Sequence, residues 1–413
     1  MSDADEPYEE RIRAVRDRLR DAGADALALF PSTNTRYLTG YAEEPSERHL
    51  LLFVVPDADP VFLVPELSGE QVRAASAVDD VRTWADDEDP VAAVGSVLSE
   101  LGVPGGGDPA GDDDSGDGDS AGDSDPGGDD FTGHDSAGSD AADAPRLLVD
   151  DTMHARFTLD LRELRPGAEF GLASELLADL RVRKDGAEVG ALRRAGEAAD
   201  AVVRELRADG DEVVGTTEAE LARHIEDRLA ANGGAGVSFE TIVGSGPNGA
   251  MPHHTHGDRT IGAGDPVVLD FGTRVDGYPS DQTRTLVFGD ESPPEGFREV
   301  HRLVREAQEA AVEAVEPGAT AGEVDAAARE AIESGGYGDE FVHRTGHGVG
   351  LDVHEEPYIV SGSDRELEPG MVFSVEPGVY LSGEFGVRIE DLVVVTDDGC
   401  VRLNRTDRGW RTG

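Results

Sequence analysis

A chain of 413 residues with 87 acidic and 36 basic side chains carries a formal charge of −51, which opposes binding to nucleic acid or to an anionic membrane surface. Its one cysteine, Cys400, excludes an internal disulfide and suits a reducing cytoplasm. The polar, acidic opening lacks the basic-then-apolar order of a secretory signal, and no apolar run approaches the length of a membrane span, so a cytoplasmic location without membrane contact is expected.

Lys184 is the sole lysine beside many arginines, and Asp, Glu, Ala and Gly are plentiful. This is the composition of a protein adapted to concentrated salt, where screening shortens the reach of charge repulsion to a few Å. The charge therefore speaks of habitat more than of chemistry.

Ile12, Val15 and Leu19 recur at helical spacing and predict a helix over 8–22. Short apolar runs at 26–30, 50–55 and 61–64 predict strands, so the chain opens as a mixed α/β domain. No cluster of His, Cys or carboxylates stands there at metal spacing, and the domain reads as a scaffold.

Residues 105–145 are almost entirely Gly, Asp, Ser and Ala, with thirteen Asp and Phe131 as the only large apolar side chain. Such a segment cannot bury enough surface to offset its ordering entropy and is expected to be a disordered insertion. Beyond it, 146–150 reads as a strand and 173–183 as a helix. A long amphipathic helix is predicted over 187–208, followed by helices at 217–231 with Thr217 as cap, at 297–315 and at 324–332. The expected organisation is an N-terminal domain at 1–165, a connecting segment at 166–185 and a second domain at 186–413.

Within the second domain, VVLDFGTRVDGYPSDQTRT (267–285) carries Asp270 and Asp281 on either side of a turn. Two carboxylates in one apolar pocket repel each other, and a cation would resolve the conflict. A second stretch repeats the pattern, with Glu376 in MVFSVEPGVY and Glu390 in GVRIEDLVVV. Helices followed by a carboxylate hairpin thus occur twice, as two similar α/β halves facing each other across a cleft would require. Between the hairpins lies HRTGHGVGLDVHEEP with His343, His347 and His354, and upstream stand His253 and His254. Imidazole with several carboxylates suits Mn, Co, Zn or Fe, and two such ions lower the pKa of a bridging water and polarise a carbonyl. Metal-assisted amide hydrolysis is the natural reaction class.

LDFG, SDQTRT, the HRTGHGVGLDVHE run, SVEPG and RIED together resemble the pita-bread metallopeptidases, the family of methionine aminopeptidase, aminopeptidase P and prolidase. NTRYLTGY at 34–41 resembles the opening of the domain that precedes the catalytic half in prolidases, aminopeptidases P and creatinases, and LRVRKDGAEVGALRRA at 180–195 resembles the entry to that half. The implied fold is α/β (α+β): a creatinase/prolidase-like N-terminal domain, then a pita-bread catalytic domain with pseudo-twofold symmetry. The acidic insertion departs from the usual first domain.

The resemblance implies Asp270, Asp281, His347, Glu376 and Glu390 as ligands of two divalent ions, with Asp281 and Glu390 bridging. Mn²⁺ or Co²⁺ is expected ahead of Zn²⁺ or Fe²⁺. It places His253 and His354 as substrate-contacting or proton-donating groups, Glu376 or its partner carboxylate also as proton shuttle, and His343 beside the site. Arg388 would orient a ligand carboxylate, and Tyr380 would line the cleft. Creatinases lack the ligand set, so the implied activity is hydrolysis of an Xaa-Pro bond at the N-terminus of a short peptide, by a homodimeric dipeptidase or aminopeptidase. The competing readings are a metal-free binding module, and a metallohydrolase of this fold with a non-proline amide substrate.

Overall fold

A computed structural model of the chain describes residues 6–105 and 144–412; apart from its ends, the expected acidic insertion at 105–145 lies outside the described residues. The chain forms two compact units, Met1–Leu177 and Ala178–Gly413.

The first unit begins with α1 (Glu6–Ala22), which buries Ile12, Val15 and Leu19 as their spacing predicts. After β1 (Ala26–Leu29), the NTRYLTGY stretch folds as a short helix, α2 (Thr33–Thr39). Ser32 accepts from the Asn34 and Thr35 backbone N–H groups at its start, and Gly40 with φ of 77° ends it, a left-handed conformation that glycine adopts without strain. Strands β2 (Leu51–Val54) and β3 (Val61–Pro65), helix α3 (Glu66–Ala75), strand β4 (Asp80–Trp84) and helix α4 (Pro90–Glu100) follow. After the undescribed stretch come β5 (Arg146–Val149), α5 (Ala155–Leu164), β6 (Glu169–Leu172) and α6 (Ser174–Arg181). The six strands lie in the order β4-β3-β2-β1-β5-β6. Every residue of β1, β2 and β3 is buried, as expected of apolar strands covered on both faces.

The boundary between the units falls within α6, and the first full helix of the second unit is α7 (Gly186–Asp209). Asp185 accepts from the Ala187 and Glu188 N–H groups while Glu188 accepts from Asp185, a reciprocal cap that sets the start. Helix α8 (Glu218–Ala231) is capped the same way by Thr217 and Glu220. Strands β7 (Ile242–Ser245), β8 (Pro266–Phe271), the two-residue β9 (Arg274–Val275) and β10 (Tyr278–Pro279), and β11 (Gln282–Val287) follow. Strands β7, β8 and β11 form one antiparallel sheet, and β9–β10 tip the hairpin.

The second half repeats the plan with α9 (Phe297–Glu313) and α10 (Ala321–Ser334). Helix α10 starts earlier than its apolar spacing alone predicts, because Thr320 and Glu323 form a third reciprocal cap. Then come β12 (Gly346–Gly348), β13 (Glu355–Ile359), β14 (Val372–Val375), β15 (Gly378–Leu381), β16 (Phe385–Arg388), β17 (Asp391–Thr396) and β18 (Gly399–Arg402). Five of these strands form a sheet in the order β13-β12-β14-β17-β18. Two pairs of helices, each followed by an antiparallel sheet, are the expected duplicated α/β arrangement.

The two carboxylate pairs are held differently from simple side-by-side hairpin partners. Asp270 on β8 stands opposite Thr283, and Asp281 lies two residues before Thr283, on the same face by strand alternation. Glu376 and Glu390 do not share one hairpin: β15 and β16 form their own ribbon, while β14 pairs with β17. Val375 and Asp391 are cross-strand partners, so the two glutamates flank that one pair. The buried Arg284 of β11 donates to Asp391 Oδ1 at 2.7 Å and to the Glu390 carbonyl at 2.6 Å, locking the first sheet to the second.

Candidate metal centre

One cavity of about 690 Å³ in the second unit is lined by Asp270, Asp281, His347, Glu376 and Glu390, together with His253, His343, His354 and Arg388. Each carboxylate is placed by backbone. Asp270 sits in β8, paired on both sides by β7 and β11. The Glu376 N–H donates to the Thr345 carbonyl at 2.8 Å, and the Glu390 N–H donates to the Thr283 carbonyl at 3.1 Å.

Asp281, His347 and Glu390 each offer a ligand atom within 4.8 Å of the others, and all three side chains are buried. His347 Nε2 lies 3.3 Å from Glu376 Oε1 and 3.8 Å from Asp281 Oδ2. Its Nδ1 lies 3.2 Å from the Gly348 carbonyl, an interaction that takes the Nδ1 proton and leaves the Nε2 lone pair facing the carboxylates. Burial holds the imidazole neutral, pushed down to about 3, with the neighbouring His354 as a lesser cause.

The carboxylates are in electrostatic conflict. Burial first, then Glu390, Asp270 and Glu376, raises the Asp281 carboxyl; burial, then Glu376 and Asp270, raises that of Glu390. Glu376 is pushed up to about 7, again mainly by burial. Asp270 Oδ1 and Glu390 Oε1 are buried with no hydrogen-bond partner. Two buried carboxyl oxygens without a partner beside an unprotonated ring nitrogen are costly unless a cation satisfies them. An oxygen and nitrogen donor set without thiolate fits a divalent transition metal, so the residues present fit the group.

A second row of side chains holds the first. Arg388 donates from Nη2 to Asp270 Oδ2 at 2.6 Å, from Nε to Thr283 Oγ1 at 3.1 Å and from Nη1 to the Tyr380 hydroxyl at 2.8 Å. Thr283 in turn donates to Glu390 Oε2 at 2.7 Å, and Ser374 donates to Glu376 Oε1 at 3.1 Å. The Tyr380 hydroxyl lies 3.0 Å from His343 Nε2, and His343 Nδ1 lies 2.7 Å from the Arg344 carbonyl. Burial pushes His343 down to about 4 and Tyr380 up to about 12, so both are neutral. Tyr380 is expected to line the cleft but stands behind the cavity wall, between Arg388 and His343.

His253 and His354 are exposed on the cavity lining, and His354 stands edge-on to His347 with ring centroids 4.0 Å apart. His254, the neighbour of His253 in sequence, points elsewhere: its Nε2 lies 2.9 Å from the buried Glu218. Sequence reasoning passed over Thr283, Ser374 and Arg344. Strand alternation from Asp281 marks Thr283, whereas nothing local marks Ser374. Arg344 lies on the cavity wall with its guanidinium 4.5 Å over the Tyr358 ring. Phe239, Ile242 and Val353 give one part of the wall an apolar character.

Comparison with known proteins agrees with this geometry. The sequence pattern of "Metallopeptidase family M24" matches residues 190–397, and that of "Creatinase/Prolidase N-terminal domain" matches residues 11–107. The chain is similar to "Probable dipeptidase PepE" of Mycobacterium tuberculosis, at 38% identity over 97% of this chain and 95% of that protein. It is similar also to the "Xaa-Pro dipeptidase" of Lactobacillus delbrueckii subsp. lactis, at 34% identity over 94% and 95% of the two chains. The crystal structure of recombinant prolidase from Thermococcus sibiricus superposes with a TM-score of 0.84 at 35% identity, covering 98% of this chain and 99% of that one. With a creatinase/prolidase-type first domain, a pita-bread second domain and a buried carboxylate–histidine cavity, this chain belongs to metallopeptidase family M24.

Proposed function

We propose that this chain hydrolyses Xaa-Pro dipeptides at a dinuclear metal centre. The observation that carries the reading is the convergence of four carboxylates and the Nε2 of His347 on one cavity, with two carboxylate oxygens lacking any partner. Asp270, Asp281, His347, Glu376 and Glu390 would hold two divalent ions, with Asp281 and Glu390 shared between them. Mn²⁺ or Co²⁺ suits this oxygen-rich set. Bound there, the ions supply Lewis-acid polarisation of the scissile carbonyl and acidify the attacking water.

The protein's own groups do the rest. Glu376 Oε1 takes a proton from the attacking water and returns it to the leaving proline nitrogen as the C–N bond breaks. A ring N–H of His354 donates to the carbonyl oxygen as negative charge develops, and His253 holds the substrate from the other lining segment. Phe239, Ile242 and Val353 offer apolar surface to the proline ring. Arg344 lies on the cavity wall with no ion-pair partner among the described residues, whereas Arg388, the other guanidinium of the lining, is held by Asp270. The Arg344 guanidinium would pair with the free carboxylate of a dipeptide, which favours dipeptidase over aminopeptidase action. The names of the similar proteins point the same way.

Catalysis is assigned to residues 186–413, with 1–165 as a non-catalytic domain joined through 166–185. A homodimer working in a salt-rich cytoplasm completes the reading. The charge of −51 and the single cysteine support the habitat and the compartment. Among the described residues no helix is long and apolar enough to cross a membrane.

The test is an assay in concentrated KCl with Mn²⁺ or Co²⁺, comparing Xaa-Pro dipeptides, Xaa-Pro-Yaa peptides and proline-free controls. Cleavage of dipeptides alone is expected. Cleavage of the longer peptides would select aminopeptidase action, cleavage of the controls would remove the proline requirement, and no metal-dependent cleavage would overturn the enzymatic reading.

A further inference from the structure

Outside the metal centre, the second unit carries a cavity of about 290 Å³ whose character opposes that of the whole chain. In a protein of charge −51, it is lined by Arg207, Arg298, Arg302, Arg305 and Arg411, with Asp407 as the only acid on its wall among the described residues. Three of the arginines come from one helix. Arg298, Arg302 and Arg305 recur at helical spacing on the exposed side of α9, whose opposite side buries Phe297, Val300, Val304 and Ala307. Arg207 reaches in from α7, and residues 407–411 close the wall.

The charges there are largely uncompensated. Arg302 pairs with Glu306 at 2.5 Å, and Arg207 donates to the carbonyls of Asp407, Gly409 and Arg411. Asp407 Oδ1 is 3.9 Å from Arg207 and accepts from the Gly409 N–H at 2.7 Å. Among the described residues Arg298 and Arg305 have no carboxylate partner; Arg298 and Arg411 both stand over the Trp410 ring, at 5.6 and 5.1 Å. The strongest pointer to a ligand is His301. It lines the same cavity, is 3% exposed, and its Nε2 has no hydrogen-bond partner; Arg207 Nε is likewise buried and unpartnered.

The buried, unpartnered nitrogens of His301 and Arg207 carry a desolvation cost, and the exposed guanidinium groups of Arg298 and Arg305 beside them are available to an anionic acceptor. Chloride carries one charge on a single atom, whereas a tetrahedral dianion offers two charges and four oxygens that match the planar guanidinium forks in pairs. The volume is more than a bare phosphate needs, and the arginines already over the Trp410 ring leave it poorly placed to stack a base. We propose that this cavity is a binding site for a small phosphate-type oxyanion, a phosphate monoester or its sulfate equivalent, held by Arg298, Arg305 and His301. The site is separate from the metal centre and does not depend on the peptidase reading.

Sodium sulfate and glycerol 3-phosphate are titrated calorimetrically into the intact protein at constant ionic strength set with KCl. One saturable site is expected. Loss of one charge-assisted hydrogen-bonding arm in Arg298→Gln or Arg305→Gln should weaken it about tenfold or more, while Arg223→Gln, an exposed arginine on α8, should leave it unchanged. Both cavity variants replace exposed side chains, so an unaltered circular dichroism spectrum is the control for folding. Heat that never saturates, or equal binding by all variants, would overturn the proposal. So would absence of sulfate binding accompanied by a fall in molecular mass on Arg305→Gln, which would assign this face to a second copy of the chain.

Discussion

Arg388 donates from Nη2 to Asp270 Oδ2 at 2.6 Å and is itself 3% exposed, so a fixed buried cation turns the other oxygen of Asp270 toward the cavity. Removing it leaves that carboxylate without its orienting partner and breaks a buried ion pair. Arg388→Gln is expected to reduce metal affinity or turnover by about 10- to 100-fold and to destabilise the fold by roughly 3 kcal/mol. Metal analysis after gel filtration, with denaturant unfolding, checks both. Full occupancy and normal turnover would show that Asp270 needs no such support.

Asp281 and His354 separate holding from turnover. Asp281→Asn takes away a charge from the cluster of Asp281, His347 and Glu390, and metal content should fall. His354→Ala leaves that cluster intact, so metal should be retained while kcat drops by about 100-fold. Equal loss of metal in both variants would reverse the two assignments.

The metal-free centre should release protons on loading. Glu376, ordinarily near 4.5, is pushed up to about 7, and Asp281 and Glu390 are raised as well. Below that value the incoming cation must displace a proton, so apparent metal affinity rises with pH. The same shift makes the folded metal-free protein bind more protons than the unfolded chain. Its contribution to stability is present below about 4.5 and is lost as pH climbs through about 7. Thermal midpoints with and without metal should therefore diverge from pH 5 to pH 8, and calorimetry in buffers of different ionisation enthalpy counts the protons. A gap that is constant with pH would contradict this account.

Arg344 is the specificity test. Arg344→Met removes the charge and replaces the guanidinium over the Tyr358 ring with an uncharged side chain of similar length. Loss of one charge-assisted contact should raise KM for an Xaa-Pro dipeptide by about 10- to 100-fold with kcat little changed. An Xaa-Pro-Yaa peptide should be unaffected. A fall in kcat alone would place Arg344 in the chemistry instead.

The charge of −51 is expected to make stability depend on salt. Raising KCl from about 0.2 M to about 2 M shortens the screening length from near 7 Å to near 2 Å and should raise the thermal midpoint by several degrees. A midpoint insensitive to KCl would refute the reading of this composition as salt adaptation.

Much of this was legible in the chain itself. Caps such as Thr217 with Glu220, and apolar spacing such as Ile12, Val15 and Leu19, are local, so the helices announce themselves within a few residues. The four carboxylates stood out as two turn-flanking pairs in apolar context, where a buried charge calls for a cation, but joining them with His347 into one ligand set rested on the resemblance of their motifs to a known family. What tertiary structure decided is which atoms meet. Register sets Thr283 opposite Asp270, and the pairing of β14 with β17 brings Glu376 and Glu390 together although a separate ribbon intervenes. Tyr380 is withdrawn behind Arg388, Arg344 stands on the cavity wall, and His301 faces a ring of arginines drawn from α7, α9 and the residues after β18. Spacing along a chain reports periodicity within one element, whereas contacts between elements are fixed by packing and strand register, which no short stretch of sequence contains.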